Sequence, residues 1–179
     1  MKTNVMLDLE CLGVSAGCKL LSIGAVVFGP QGTHQTPRFD AAVLRHLQPP
    51  ALVENPDTVN WWAGQSEAAR ARVFGADNGA KPLHVVLADF TGWLYSIDKK
   101  ALVWGNGADF DLPILGAAYH ACGMAQPWGN WSGRCYRTLK GLRPMVPFVR
   151  SGVHHDALHD AISQADHAAQ ILNLLGAWE

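Results

Sequence analysis

The eleven residues KLLSIGAVVFG (19–29) constrain the fold more than any other stretch of the chain. They form a nearly continuous apolar run rather than an alternating one, the mark of a central strand covered on both faces. A strand covered twice needs a layer above it and another below, so the chain has to fold as a sheet flanked by helices. It has the material to do so. Its 179 residues, 49% hydrophobic and 16% charged, suit one domain over 1–179 that buries roughly 70% of the surface its unfolded chain exposes.

The flanking segments fill in the layers. NVMLDLE (4–10) alternates and reads as a strand. The turn-rich PQGTHQTP (30–37) leads into a third strand at about 38–47, so the first three strands should form an antiparallel meander. The period then changes. PDTVNWWAGQ (56–65) and SEAARARVFG (66–75) read as short helices, the second capped by Ser66. After the polar break GADNGAK, residues Leu83, Val86, Leu87, Phe90, Leu94 and Ile97 recur at helical spacing, which predicts a helix over 82–97 with Pro82 in its first turn. ALVWG (101–105) is a short buried strand, and DFDLPILGAAYHACG (109–123) a helix ended by Gly123.

Residues 124–134 read as loop, RCYRTLKGL is ambiguous, and PMVPFVRSGV (144–153) is irregular. A last helix runs from Asp156 to Trp178, with Ala161, Ala165, Ala168, Ile171, Leu172 and Leu175 on one face. The expected class is α/β: a mixed central sheet, three antiparallel strands plus further strands, between helices.

Charge and cysteine usage narrow the setting. A net charge of −1 gives no global footprint for nucleic acid, although a local basic rim would serve a weakly held substrate. Cys11, Cys18, Cys122 and Cys135 form no Cys-x-x-Cys pair and read as reduced thiols. The N-terminus reaches two carboxylates by position 10, unlike a signal peptide or anchor, and no apolar run approaches the roughly 20 residues of a membrane span. A cytoplasmic chain without a membrane partner is expected.

Against that background, four acids and a histidine stand out. Asp8 and Glu10 are two apart on a strand and leave the same face. Alone they could be a frayed strand end in water. Asp111 follows ALVWG at the start of a helix, where Asp109 competes with it, and the helix dipole alone would favour either. Asp160 lies in the first turns of the last helix, five residues after His155. If these carboxylates converge, each raises its neighbours' pKa, and divalent cations relieve the repulsion. All-oxygen ligands suit Mg²⁺ or Mn²⁺. Two such ions about 3.5–4 Å apart would stabilise the attacking and leaving oxygens of a phosphodiester. His155, with an ordinary pKa of roughly 6.5, could take the proton of the attacking water.

The segment HHDALHDA (154–161) also admits another chemistry. His155 and His159 stand four apart, nearly the His-Glu-x-x-His of zinc peptidases. Asp156 is one methylene short of the required glutamate, however, and neither His167 nor His120 is an obvious third ligand. This reading also leaves Asp8, Glu10 and Asp111 without a task. A third class, a fold that binds nucleic acid without cutting it, would be expected to have lost one of the acids.

DLECLG (8–13), WGNGADFDLPIL (104–115) and HHDALHDA (154–161), in that order, resemble the three motifs of the DEDDh (DnaQ-like) 3′–5′ exonuclease superfamily. The resemblance implies a ribonuclease-H-like fold, two Mg²⁺ or Mn²⁺ ions, and release of nucleoside 5′-monophosphates from the 3′ ends of single-stranded DNA or RNA. By position, Asp8, Glu10, Asp111 and Asp160 match the metal-binding acids and His155 the base. Asp111 is preferred to Asp109 because it follows Phe110. DTVNWWAGQSEAAR (57–70) and PWGNWSGRCYRTL extend the likeness to the phage and prophage branch, some of whose mycobacterial relatives act on RNA. Cys11 stands where many relatives carry threonine.

Substrate contacts are read more loosely. Trp61 and Trp62 point about 100° apart on a helix, so one should anchor the core while the other offers a stacking face. Gln65 lies one turn further on. Asn106, between two glycines, and Leu12, within the first motif, are further binding candidates. Arg143 and Arg150 belong to the most basic stretch, 134–150, and could steer phosphates from a loop that closes like a lid. Association as a homodimer is compatible with the sequence.

Overall fold

The computed structural model describes residues 2–75 and 78–178. Ala76 and Asp77, inside the expected polar break, lie outside the described residues. Strands β1 (Asn4–Cys11), β2 (Leu20–Phe28), β3 (Arg38–Ala42), β4 (Leu102–Gly105) and β5 (Gly133–Cys135) form one mixed sheet in the order β3-β2-β1-β4-β5. β1–β2 and β2–β3 pair antiparallel, as expected of the meander, whereas β4 pairs parallel to β1 and β5 parallel to β4. The helices are α1 (Pro56–Ala63), α2 (Glu67–Phe74), α3 (Leu83–Ile97), α4 (Asp111–Ala121), α5 (Tyr136–Leu142) and α6 (Ala157–Leu175).

Side-chain parity along β1 divides the core in two. Val5, Leu7, Leu9 and Cys11 point to one face, where they pack with Ile23 and Ala25 of β2 and with apolar residues of α3 and α4. Met6 points the other way, into a second cluster with Val26, Phe28, Trp104 and the alanine-rich face of α6. Asp8 and Glu10 share the parity of Met6 and so lie on the α6 side of the sheet.

One glycine sets how closely that helix can approach. Gly24 of β2 is the cross-strand partner of Asp8, and a Cβ at Gly24 would overlap the backbone of Ala157 and Leu158 at the start of α6. The first turn of α6 therefore rests directly on the sheet beside Asp8. The start of α6 is fixed by Asp156, whose side chain caps the helix by accepting the His159 amide at 3.0 Å. Buried Asp156 also pairs with Arg72 of α2, which reaches Asp40 of β3 at 2.6 Å.

Several boundaries differ from the sequence expectation. β3 stops at Ala42 rather than near 47. α4 begins at Asp111, which puts Pro113 at its third position, where the missing N–H has no intrahelical partner to lose. α6 ends at Leu175, because Gly176 adopts a left-handed C-cap conformation with φ 59°. β5 falls in a stretch expected to be loop, and RCYRTLKGL divides between its end and α5. No helix among the described residues is long and apolar enough to cross a membrane.

Gly24→Ala should cost about 3 kcal/mol or more in chemical denaturation, because the new methyl meets main chain and not a movable side chain. A loss under about 0.5 kcal/mol would show that α6 does not need this approach.

Candidate active site

The four acids arrive on three pieces of the scaffold. Asp8 and Glu10 come from the C-terminal half of β1, whose pairing with β2 shifts register between Glu10 and Cys11. Such a bulge re-aims side chains at the end of a strand. Asp111 opens α4 after the tight link from β4, where a Cβ on Gly105 would crowd the Asp111 side chain. Asp160 sits one turn into α6. All but Asp8 are buried, Glu10 at 6%, Asp111 at 1% and Asp160 at 8% exposure.

Ligand oxygens of Asp8, Glu10 and Asp160 all lie within 4.8 Å of one another. Two full charges at that spacing repel by about 3 kcal/mol at an effective dielectric near 20. The acids respond by holding protons. Burial, then the charges of Asp111, Glu10 and Asp160, push the Asp8 pKa well above the usual carboxylate range, opposed by a hydrogen bond from Gln164. Burial and the charges of Asp160, Asp156 and Asp111 push Glu10 from 4.5 to about 8. Asp111 rises to about 6, chiefly through burial, although backbone amides restrain it. One of these, from Asn106, donates to its Oδ2 at 2.5 Å.

The donor set fits a hard divalent cation. Asp111 Oδ1 is buried without a hydrogen-bond partner, beside acids that are ionised only at a cost. Neighbouring cationic and amide groups compensate in part. Gln164, one turn beyond Asp160, donates its amide to Asp8 Oδ1 at 2.7 Å. Arg150 pairs with Asp160 Oδ1, and the His155 amide donates to Asp160 Oδ2 at 3.0 Å. Arg137 of α5 holds the Asn106 carbonyl at 2.7 Å and lowers the Asp111 pKa by its charge.

Asp8, Glu10 and Asp160 open into a cleft of about 550 Å³ that Trp61, Phe110 and His155 also line. His155 occupies a left-handed conformation, φ 62°, just before α6. Its ring meets the edge of Trp61 at 4.8 Å and stacks on His154 at 3.7 Å. Burial and the neighbouring His154 lower its pKa, so it is neutral near pH 7.

The structure brings Asp8, Glu10, Asp111, Asp160 and His155 together, and it leaves Asp109 exposed. Trp61 is 45% exposed and Trp62 only 2%, with Trp62 Nε1 donating to the Cys11 carbonyl at 3.0 Å. The tryptophans divide as their spacing required, so Trp62 is a core anchor that only edges the cleft. Asn106 and Arg150 line the cleft.

Three binding candidates do not reach it. Leu12 is fully buried with Leu21 and Trp62 because β1 turns inward past Cys11. Gln65 bonds back to the Trp61 carbonyl at 3.1 Å instead of reaching past it. Arg143 is an exposed residue at the end of α5, away from the lining.

The peptidase geometry also fails. His155 precedes the helix, so it shares no helical face with His159, which accepts the Val153 amide and joins no metal-compatible cluster among the described residues. His167 is a core histidine between Tyr136 and the Val146 carbonyl. Sequence reasoning missed Gln164, whose i+4 spacing from Asp160 was the available signal, and placed Arg137 only within the basic stretch 134–150, with no sign of its reach to the Asn106 carbonyl.

The profile of the 3′–5′ exoribonuclease Rv2179c-like domain matches residues 3–172. The exodeoxyribonuclease of Enterobacteria phage T4 is 24% identical over 123 residues, 63% of this chain and 53% of the phage protein, so the chain spans about half the length of that curated relative. The nuclease domain of 3′hExo, a DEDDh family member solved with rAMP bound, superposes with a TM-score of 0.63 at 12% identity, over 96% of this chain and 92% of that one. Exonuclease X in complex with 5′ overhanging duplex DNA gives 0.60 at 18% identity, over 98% and 93%. These two likenesses show a shared fold, the mixed sheet between helices expected of the chain.

Without metal, folding holds protons on Glu10 between pH 4.5 and about 8 that the unfolded chain releases. Stability in chelator should therefore fall as pH rises through that window. Glu10→Gln should flatten the fall, as should saturating Mn²⁺, which compensates the ionised acids. Thermal melts at pH 5–8 check this, and parallel curves for wild type and variant would count against it.

Proposed function

The chain belongs to the 3′–5′ exoribonuclease Rv2179c-like family, and from that premise we propose that it is a divalent-metal-dependent exonuclease that removes nucleoside 5′-monophosphates from the 3′ ends of single-stranded nucleic acid. The convergence of Asp8, Glu10 and Asp160 within 4.8 Å, with Asp111 charged beside them, carries this reading. Asp8, Glu10, Asp111 and Asp160 would hold two Mg²⁺ or Mn²⁺ ions, the hard cations that carboxylate oxygens favour. Such ions would stabilise charge on the attacking and leaving oxygens of the phosphodiester.

The chain's own groups do the rest. His155 reaches neutral pH with a free lone pair, because burial disfavours its charged form. It accepts the proton of the attacking water, and the edge contact with Trp61 together with the hydrogen bond its backbone N–H donates to Asp160 Oδ2 hold it at the cleft. The exposed face of Trp61 takes the terminal base by stacking, which contributes about 1–3 kcal/mol without reading sequence. Arg150 exchanges Asp160 for a substrate phosphate when the acids are neutralised by metal. The family supports RNA as substrate and the phage relative supports DNA.

His155→Ala should lower kcat about 10²–10⁴-fold with little change in KM. Trp61→Ala should instead raise KM roughly 5–100-fold. Both are measured on end-labelled single-stranded RNA and DNA with Mg²⁺ or Mn²⁺. A ladder shortening from the 5′ end, or internal cuts, would refute the proposed direction.

A further inference from the structure

Two imidazoles stand at the lip of the cleft, and the hydrolytic reading uses only one. His154 is exposed and lies ring on ring with His155, centroids 3.7 Å apart and planes 22° apart. Nitrogen donors of His154 and His155 and an oxygen of Asp160 all lie within 4.8 Å of one another. This triad shares Asp160 with the acid cluster but differs from it in kind. Two imidazoles and one carboxylate make a borderline-soft set, poor for Mg²⁺ and good for Zn²⁺, Co²⁺ or Ni²⁺.

Ligands on a tetrahedral zinc ion stand about 3.4 Å apart, given metal–ligand bonds near 2.1 Å, so no pair in the triad needs to close by more than about 1.4 Å. His154 can supply that movement, since its ring is exposed and rotates about its own side-chain bonds. The other histidine of the motif, His159, is committed elsewhere, its Nδ1 accepting the Val153 amide at 3.2 Å. Arg150 opposes the ion, because its guanidinium already holds Asp160.

We propose that His154, His155 and Asp160 form an inhibitory site for an imidazole-seeking divalent cation, with zinc the best fit. Binding stands on the geometry alone, whereas its effect on turnover rests on the proposed exonuclease reading. An ion there takes the lone pair of the proposed base and an oxygen of a proposed metal ligand together. His154 touches no reacting atom in the proposed hydrolysis and meets the base only through its stacked ring and its charge, so inhibition is read against each variant's own rate in Mg²⁺ alone.

The test uses the full chain stripped with chelator and returned to millimolar Mg²⁺. Zinc affinity is measured by competition with a chromophoric chelator, and hydrolysis of a labelled oligonucleotide is followed as zinc is added. His154→Ala removes the ring, and His154→Phe keeps a stacked ring without a donor. Both variants should bind zinc at least tenfold more weakly and need at least tenfold more zinc for half-inhibition, each measured relative to its own rate in Mg²⁺ alone. Equal zinc affinity in wild type and both variants would overturn the site. A wild-type chain inert on every oligonucleotide would sink the exonuclease reading, while the affinity comparison would still decide the metal site.

Discussion

Carboxylates forced together out of water are the constraint on which this structure turns. Asp8 and Glu10 come from one strand end and Asp111 and Asp160 from two helix starts, and each could have faced solvent had the elements packed a few ångströms further apart. Gly24 prevents that by letting α6 lie against β2 at the residue paired with Asp8. The absence of a Cβ at Gly105 does the same for Asp111. The resulting repulsion, about 3 kcal/mol per charged pair at that spacing, adds to burial in raising the Asp8 and Glu10 pKa values, whereas burial alone raises that of Asp111.

The groups around the acids soften that repulsion without removing it. Gln164 and the Asn106 amide each hold one oxygen, Arg150 holds another, and Asp111 Oδ1 keeps no partner. A fully compensated cluster would have no need of a cation, whereas one left bare would unfold its own surroundings. Partial compensation leaves the site folded in either state and ready for hard cations. Arg72 serves the scaffold in a related way: its pairs with Asp156 and Asp40 tie α2, α6 and β3 together behind the cleft.

Much of this was legible in the chain, and the reasons differ by element. β2 announced itself because a strand buried on both faces must be apolar throughout, and Asp8 with Glu10 because strand parity puts residues two apart on one face. Trp61 and Trp62 separated into rim and core by helical geometry alone. Shorter or non-local features were hidden. β5 has three residues, too few for a period, and pairs with β4 some thirty positions away. Leu12 was misjudged because its neighbours in the motif face the cleft while the chain there turns into the core. The His-x-x-x-His spacing puts no two imidazoles on one helical face, because the helix starts after His155, where the sequence pattern also began it. Arg137 reaches the site only through packing of α5, which leaves no local mark.

The central claim is that four carboxylates from three elements, β1, α4 and α6, would hold a pair of hard cations. Crystals equilibrated with Mn²⁺ and measured at a wavelength where manganese scatters anomalously test it most directly. The account predicts two anomalous peaks about 3.5–4 Å apart, ligated by oxygens of Asp8, Glu10, Asp111 and Asp160. Manganese absent from the cluster, or found only at surface carboxylates elsewhere, would contradict it.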